Sequence, residues 1–219
     1  RRIFAIGVFM RIAIVVRPPS DDSLVDELRL GVHALRRSGH DVTVRMTFER
    51  GDATRYARTA ARRGCDLVIA AGGDGTINEV VNGFCAGAPP CLGIVPIGTA
   101  NDFAKGLDLP TDVREAIRVA TDGQPLAIDV GVVNDRRFVN VSTGGFGADA
   151  TQAAPRAAKR RLGKLAYVIS GARELVDLHA ETATFIADDG EAFAGDFIFF
   201  VVGNAKHTGG VNLGGHEFH

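Results

Sequence analysis

Residues 66–76 read Asp66-Leu67-Val68-Ile69-Ala70-Ala71-Gly72-Gly73-Asp74-Gly75-Thr76. Leu67 to Ala71 is apolar at every position, as expected of a strand covered on both faces. Gly72-Gly73-Asp74-Gly75 breaks the run, and a helix is expected from there over 76–84. A strand, a glycine turn and a helix start, in that order, suit an anion. Glycine has no Cβ to keep a phosphate away, and a helix's first turn offers unpaired N–H groups and a partial positive charge. Thr76 and Glu79 also have the T-x-x-E spacing of a capping box. The G-x-x-x-x-G-K-[ST] phosphate loop is absent from the sequence.

A second turn of the same kind lies just beyond. A buried strand is expected over 92–97, followed by Gly98-Thr99-Ala100-Asn101-Asp102. Two glycine turns, each after a buried strand and each with a Thr and an Asp, point to one ligand. In open α/β sheets ligands bind at the carboxyl ends of the strands.

Working outward, 11–16 is a β-branched run stopped by Pro18-Pro19, and so a strand. Leu24, Leu28, Val32 and Leu35 recur at helical spacing over 23–37, with Gly39 just past the end. Val42, Val44 and Met46 alternate with polar residues as a second strand, and helices are expected over 53–63 and 112–121. Strands alternating with helices imply a mostly parallel sheet. The pattern changes at Gly123-Gln124-Pro125. Strands are expected over 127–133 and 137–142 around Asn134-Asp135-Arg136, and over 183–187 and 193–202 around Asp188-Asp189-Gly190, with a helix over 162–178. The fold class is therefore α/β: an N-terminal parallel-sheet nucleotide domain over 10–124, then an antiparallel β domain over 125–219. Met10 is taken as the natural start, with 1–9 an extension.

A net charge of -1 and a pI of 6.7 leave no basic field of the kind nucleic-acid binders carry, so no nucleic-acid partner is expected. Cys65, Cys85 and Cys91 are odd in number and form no C-x-x-C, which fits reduced thiols in a cytoplasmic setting. No uncharged apolar stretch reaches the roughly 18–20 residues of a bilayer span, so any membrane contact is peripheral.

Both turns carry a resemblance. Gly72-Gly73-Asp74-Gly75-Thr76-Ile77-Asn78-Glu79-Val80 resembles the GGDGT motif of the diacylglycerol, sphingosine and NAD kinase superfamily. Gly98-Thr99-Ala100-Asn101-Asp102-Phe103-Ala104 is similar to the GTxNDFA motif of its lipid-kinase branch, and the chain resembles the YegS-like bacterial lipid kinases. Residues 44–53, 143–147 and 202–204 are similar to theirs as well.

The resemblance implies ATP-dependent phosphorylation of a lipid hydroxyl with Mg2+, at the inner face of the membrane. The acceptor would be diacylglycerol, phosphatidylglycerol or a related lipid. By motif match the nucleotide contacts are Thr47, Gly72, Gly73, Asp74, Gly75, Thr76, Ile77, Asn78, Glu79, Gly98, Thr99, Asn101 and Asp102. Asp74 is the catalytic candidate, its carboxylate orienting the Mg-nucleotide or the acceptor hydroxyl. No residue is assigned as a metal ligand, and a homo-oligomer is left open.

The sequence departs from the family in three places. Arg17-Pro18-Pro19-Ser20-Asp21 replaces an Asn-Pro-x-Ser-Gly-like turn. The family's Gly-Gly-Gly run is Gly209-Gly210-Val211. The family's later aspartate cluster and Asp-Gly-Glu acid have no counterpart, as in a truncated chain, and Asp189-Gly190-Glu191 sits in an earlier hairpin turn. Two other readings follow: an NAD kinase-like enzyme, against which Asn101-Asp102-Phe103 argues, or a nucleotide-binding remnant without its catalytic end.

Weaker signals are given structural readings. Gly145-Phe146-Gly147-Ala148-Asp149-Ala150 fits a dinucleotide fingerprint but follows a hairpin strand, and reads as a tight turn. Phe197, Phe199 and Phe200 read as sheet core. Lys159, Arg160, Arg161 and Lys164 form a basic cluster open to anionic lipid or to solvent. His216-Glu217-Phe218-His219 is no H-E-x-x-H.

Overall fold

The computed structural model describes residues 9–84, 89–145, 180–186, 190, 192–204, 207–208 and 211–212. The expected helix over 162–178, the basic cluster, residues 146–150, Cys85, the turn at Asp188-Asp189 and the tail from 213 lie outside the described residues. So does most of the N-terminal extension.

Four strands, β1 (Arg11–Val16), β2 (Asp41–Met46), β3 (Leu67–Gly72) and β4 (Cys91–Pro96), form a parallel sheet in the order β2-β1-β3-β4. The expected parallel α/β architecture is therefore present. Its helices are α1 (Asp22–Arg37), α2 (Asp52–Arg62), α3 (Asp74–Gly83), α4 (Asp102–Gly106) and α5 (Val113–Asp122). α1 begins where the Asp21 carboxylate accepts the Ser23 N–H at 2.9 Å, and Asp112 does the same for Glu115 at the head of α5.

Side-chain alternation along the strands feeds two cores, one on each face. Ile12, Ile14, Val16, Leu67, Ile69 and Ala71 pack beneath Leu28 and Leu35 of α1 and Ile117 of α5. Ala13, Val15, Val68 and Ala70 face the other way, against Ala57 of α2, Ile77 and Val80 of α3 and Phe103 of α4. All six β3 residues are buried, as the continuous apolar run required.

The chain clusters into two compact units, 1–140 with 204–219, and 141–203. The first unit includes a hairpin of β5 (Gly131–Val133) and β6 (Arg136–Phe138), turned by Asn134 and Asp135 at φ 46° and 63°. Both central residues at positive φ make the tight turn that suits strand twist. The short strands β11 (His207–Thr208) and β12 (Val211–Asn212) pair antiparallel in the same unit. In the second unit β7 (Val141–Gly145) pairs antiparallel with β10 (Phe199–Gly203), and β8 (Glu181–Ile186) with β9 (Ala192–Phe197). The Phe185 ring meets Phe193, Phe197 and Phe200 at centroid separations of 5.9, 5.5 and 5.1 Å. Phe197 and Phe200 thus pack within the strands, and the Phe199 side chain lies outside the description.

Candidate nucleotide site

Parallel register places four strand tips on one edge. Val16 pairs with Met46 on one side and Ala71 on the other, and Ala71 pairs with Val95. Thr47, the Arg17 loop, Gly73–Gly75 and Gly98–Thr99 follow these tips in the same order, the strands themselves lying about 5 Å apart.

The two glycine turns touch. A Cβ built on Gly98 would overlap the Gly73 Cα and stand 2.9 Å from the Gly73 nitrogen, and one on Gly73 would stand 3.2 Å from the Gly98 Cα. A side chain at Gly98 would force the backbones apart, and one at Gly73 would be tight. The helix after the first turn begins at Asp74, two residues earlier than expected, with Gly73 as an extended N-cap that has no side chain to cap with. Among the described residues, the N–H groups of Gly73, Asp74 and Gly75 make no hydrogen bond, while those of Thr76 and Ile77 go to the Gly73 carbonyl at 2.9 and 3.1 Å. Unpaired first-turn N–H groups are what an anion needs.

Asp74 latches one turn onto the other. Its Oδ1 accepts the Phe103 N–H at 2.9 Å and the Asn140 amide at 3.0 Å, and its Oδ2 accepts the Asp102 N–H at 3.1 Å. Asp74 therefore caps α4 from a distance of 28 and 29 residues along the chain. The second turn is stapled from within by Asn101, in the left-handed region at φ 53°. Its Oδ1 accepts the Gly98 N–H at 3.0 Å, and its Nδ2 donates to the Gly98 and Pro96 carbonyls at 2.9 and 3.2 Å. Asparagine is among the few non-glycine residues that tolerate this conformation.

The expected site residues divide accordingly. Gly73 and Asp74 are half-buried, and Gly75, Gly98 and Thr99 are exposed at the edge. Thr47 is half-buried at the β2 tip, its N–H held by the Val16 carbonyl at 2.8 Å. Gly72 is buried as the last residue of β3, and the Thr76 side chain packs so closely on it that a Cβ there would stand 2.6 Å from the Thr76 Cβ. Ile77 belongs to the core beneath the sheet, with its N–H already committed to Gly73. Asn101 and Asp102 are buried.

The capping box expected from Thr76 and Glu79 does not form, because both side chains have other partners. Thr76 turns onto Gly72, and Glu79 Oε2 accepts the Gly51 N–H at 3.0 Å while the Glu79 carbonyl accepts the Thr54 hydroxyl at 2.9 Å. Glu79 thus braces α3 against the start of α2. Asn78 is half-buried, and its Oδ1 has no partner among the described residues.

Reading the motifs alone misses Asp52 and Asn140. Asp52 is 4% exposed, and its Oδ2 accepts the Phe48 and Glu49 N–H groups at 2.9 and 3.2 Å, fixing the loop that carries Thr47. Gly-Asp at a helix start is a recognisable local signal for it. Asn140 has no local signal, since it meets Asp74 across 66 residues. The Phe48 N–H, then the Arg55 guanidinium, then the Glu49 N–H hold the Asp52 carboxyl below its ordinary range. A lowered folded pKa contributes stability that is present above the unfolded value of about 4 and lost as pH falls through the folded value. Asp52→Asn should therefore be less stable than its parent near neutrality, with the difference shrinking below about pH 4. A series of urea midpoints checks this, and a difference independent of pH would contradict it.

No group of three or more His, Cys, Asp or Glu among the described residues is placed to hold a metal ion. No described helix is long and apolar enough to cross a membrane.

Comparison with known proteins identifies the family. Residues 11–133 match the diacylglycerol kinase catalytic domain. The chain is 42% identical over 187 residues to a probable YegS-like lipid kinase of Cronobacter sakazakii, covering 84% of this chain and 62% of that protein. It is 41% identical over 189 residues to the Pectobacterium atrosepticum counterpart, covering 84% and 63%. The chain thus spans less than two thirds of the length of these curated relatives. Among solved structures, a putative diacylglycerol kinase from Bacillus anthracis superposes with TM-score 0.72 at 28% identity, covering 96% of this chain and 70% of that one. A second diacylglycerol kinase structure from the same organism gives 0.70 at 27%, covering 93% and 67%. The matched segment contains both glycine turns and the latch between them, and the chain belongs to the diacylglycerol kinase catalytic-domain family.

Proposed function

We propose that this chain carries the nucleotide site of an ATP-dependent lipid kinase, which transfers the γ-phosphate to the hydroxyl of diacylglycerol, phosphatidylglycerol or a related lipid at a membrane surface. The observation that carries this reading is the contact of Gly73 with Gly98, beside three N–H groups without partners among the described residues. Phosphoryl transfer rests on positioning and charge stabilisation, so a backbone cradle needs no covalent nucleophile. Gly73, Asp74 and Gly75 would offer N–H donors to the phosphate chain, and Gly98 and Thr99 would close its other side. Asp74 would hold the two turns together, with Thr47 at the far end of the edge, toward the nucleoside. Mg2+, when bound with the nucleotide, would neutralise phosphate charge. Among the described residues no cluster of three or more His, Cys, Asp or Glu is placed to hold it.

The test is to incubate the chain with γ-labelled ATP, Mg2+ and either mixed bacterial lipids or NAD. Label in the lipid phase is the expected result. Label on NAD instead would overturn the lipid reading. ATP binding without transfer would identify a nucleotide-binding chain that lacks its catalytic end. The sequence contains no Trp, and Phe48, next to Thr47, is 83% exposed. Phe48→Trp therefore places a single indole at the β2 tip, whose fluorescence reports nucleotide binding independently of transfer.

A further inference from the structure

We propose that Asn140, which lies in neither glycine motif, is a positioning residue that sets the Asp74 carboxylate and through it the alignment of the two turns. This rests on reading the turns as the nucleotide site.

Asn140 is the only side chain seen to hydrogen-bond Asp74 among the described residues, the other two donors being backbone N–H groups of α4. Its orientation is not ambiguous. Turning the amide over would set Oδ1 against a carboxylate oxygen, so Nδ2 must face Asp74. The opposite end of the amide shows the cost of that choice. Asn140 Oδ1 is buried with no partner among the described residues, a loss that a native structure sustains only for a reason. The amide is oriented by Asp74 and not by its own needs.

The mount beneath Asn140 is fixed at both ends. The Asn140 carbonyl accepts the Asn204 N–H at 2.7 Å, and Asn204 Nδ2 donates to the Asp129 and Val139 carbonyls at 2.9 and 3.2 Å. Three residues earlier, the Arg137 N–H donates to Asn82 Oδ1 at 2.9 Å and the Arg137 carbonyl accepts Asn82 Nδ2 at 2.8 Å. Asp74 and Asn82 lie eight residues apart on α3, on one face. α3 therefore grips the segment from Arg137 to Asn140 at both ends, with Val139 buried between them. A carboxylate held from this mount cannot rotate away from α4, and α4 cannot lift Gly98 from Gly73.

The test uses the full chain and reads ATP affinity and melting temperature, each relative to the parent at the same pH. In Asn140→Asp an ionised carboxylate faces Asp74. One proton shared by the pair restores a donor where the amide stood. Its ATP affinity should be about tenfold or more below the parent at about pH 8, and recover to within about threefold at about pH 5, with its melting deficit shrinking in step. Asp102, the nearest carboxylate along α4, is common to both proteins and cancels. Asn140→Ala should lose about tenfold at both pH values. Asn82→Ala loosens the same segment elsewhere and should lower the melting temperature by an amount independent of pH. Adding Asp74→Asn to Asn140→Asp should abolish the pH dependence. A deficit in Asn140→Asp that does not change with pH, or an Asn140→Ala variant with parental affinity, would overturn the proposal. If the parent itself binds no ATP, the nucleotide reading fails. The melting series, with and without Asp74→Asn, then decides the positioning role by itself.

Discussion

Gly98→Ala is expected to lower the stability of the chain by about 3 kcal/mol and its melting temperature by roughly 6–12 °C, and to abolish nucleotide binding. The added methyl would meet the Gly73 Cα and nitrogen and the Asn101 Oδ1, the last two at 2.9 and 2.7 Å. Backbone and a side chain already bonded to Gly98, Pro96 and Gly98 again cannot yield as the end of a flexible side chain would. One turn must lift off the other. Gly75→Ala provides the contrast. A Cβ there meets nothing within 4 Å, and the position lies inside α3. Alanine should leave stability unchanged or raise it by up to about 1 kcal/mol, while its methyl stands in the path of a phosphate. Thermal melts and ATP titrations of the two variants should therefore separate stability from binding. A Gly98→Ala protein as stable as its parent would show that the contact between the turns is not what holds them.

Asp74→Ala is the second large effect. A catalytic role alone would cost transfer and leave the fold intact, but the hydrogen bonds of Asp74 require more. Removing the carboxylate strands the N–H groups of Asp102 and Phe103, residues that are 5% and 1% exposed, and the Asn140 amide. Buried donors that lose a charged acceptor cost about 2–3 kcal/mol together, a fall of roughly 4–12 °C in melting temperature. The two cores do not include Asp74 and should stand. Transfer should fall to background. Asp74→Asn keeps one acceptor oxygen and the same shape, so it separates the two roles. If Asp74→Asn retains most of the stability and loses transfer, the charge itself acts in the reaction. If it retains transfer, Asp74 serves only as the latch.

The sheet was legible because its residues answer to local rules. Leu67–Ala71 had to be covered on both faces, and it is the fully buried β3. α1 was legible from Leu24, Leu28, Val32 and Leu35 at helical spacing, with Gly39 just past its end. α4 was not, since five residues give no periodicity to read. The start of α3 was misplaced because glycine caps it without a side-chain signal, while Thr76 and Glu79 mimic a capping box whose two members go to Gly72 and Gly51. The glycine motifs located the site, but not how it is held. Asp74 reaches α4 and Asn140 across 28 to 66 residues, and nothing in the spacing of single residues encodes a contact made only by tertiary packing.

The central claim is that the backbones of two neighbouring turns form one receptor for a phosphate chain. Amide NMR of the chain during titration with ATP, and separately with tripolyphosphate, tests it most directly. The claim expects saturable shifts at the N–H groups of Gly73, Asp74, Gly75 and Thr99 with both ligands, and at Thr47 and Phe48 with ATP alone. Shifts confined to other residues, or no saturable shift with either ligand, would contradict it.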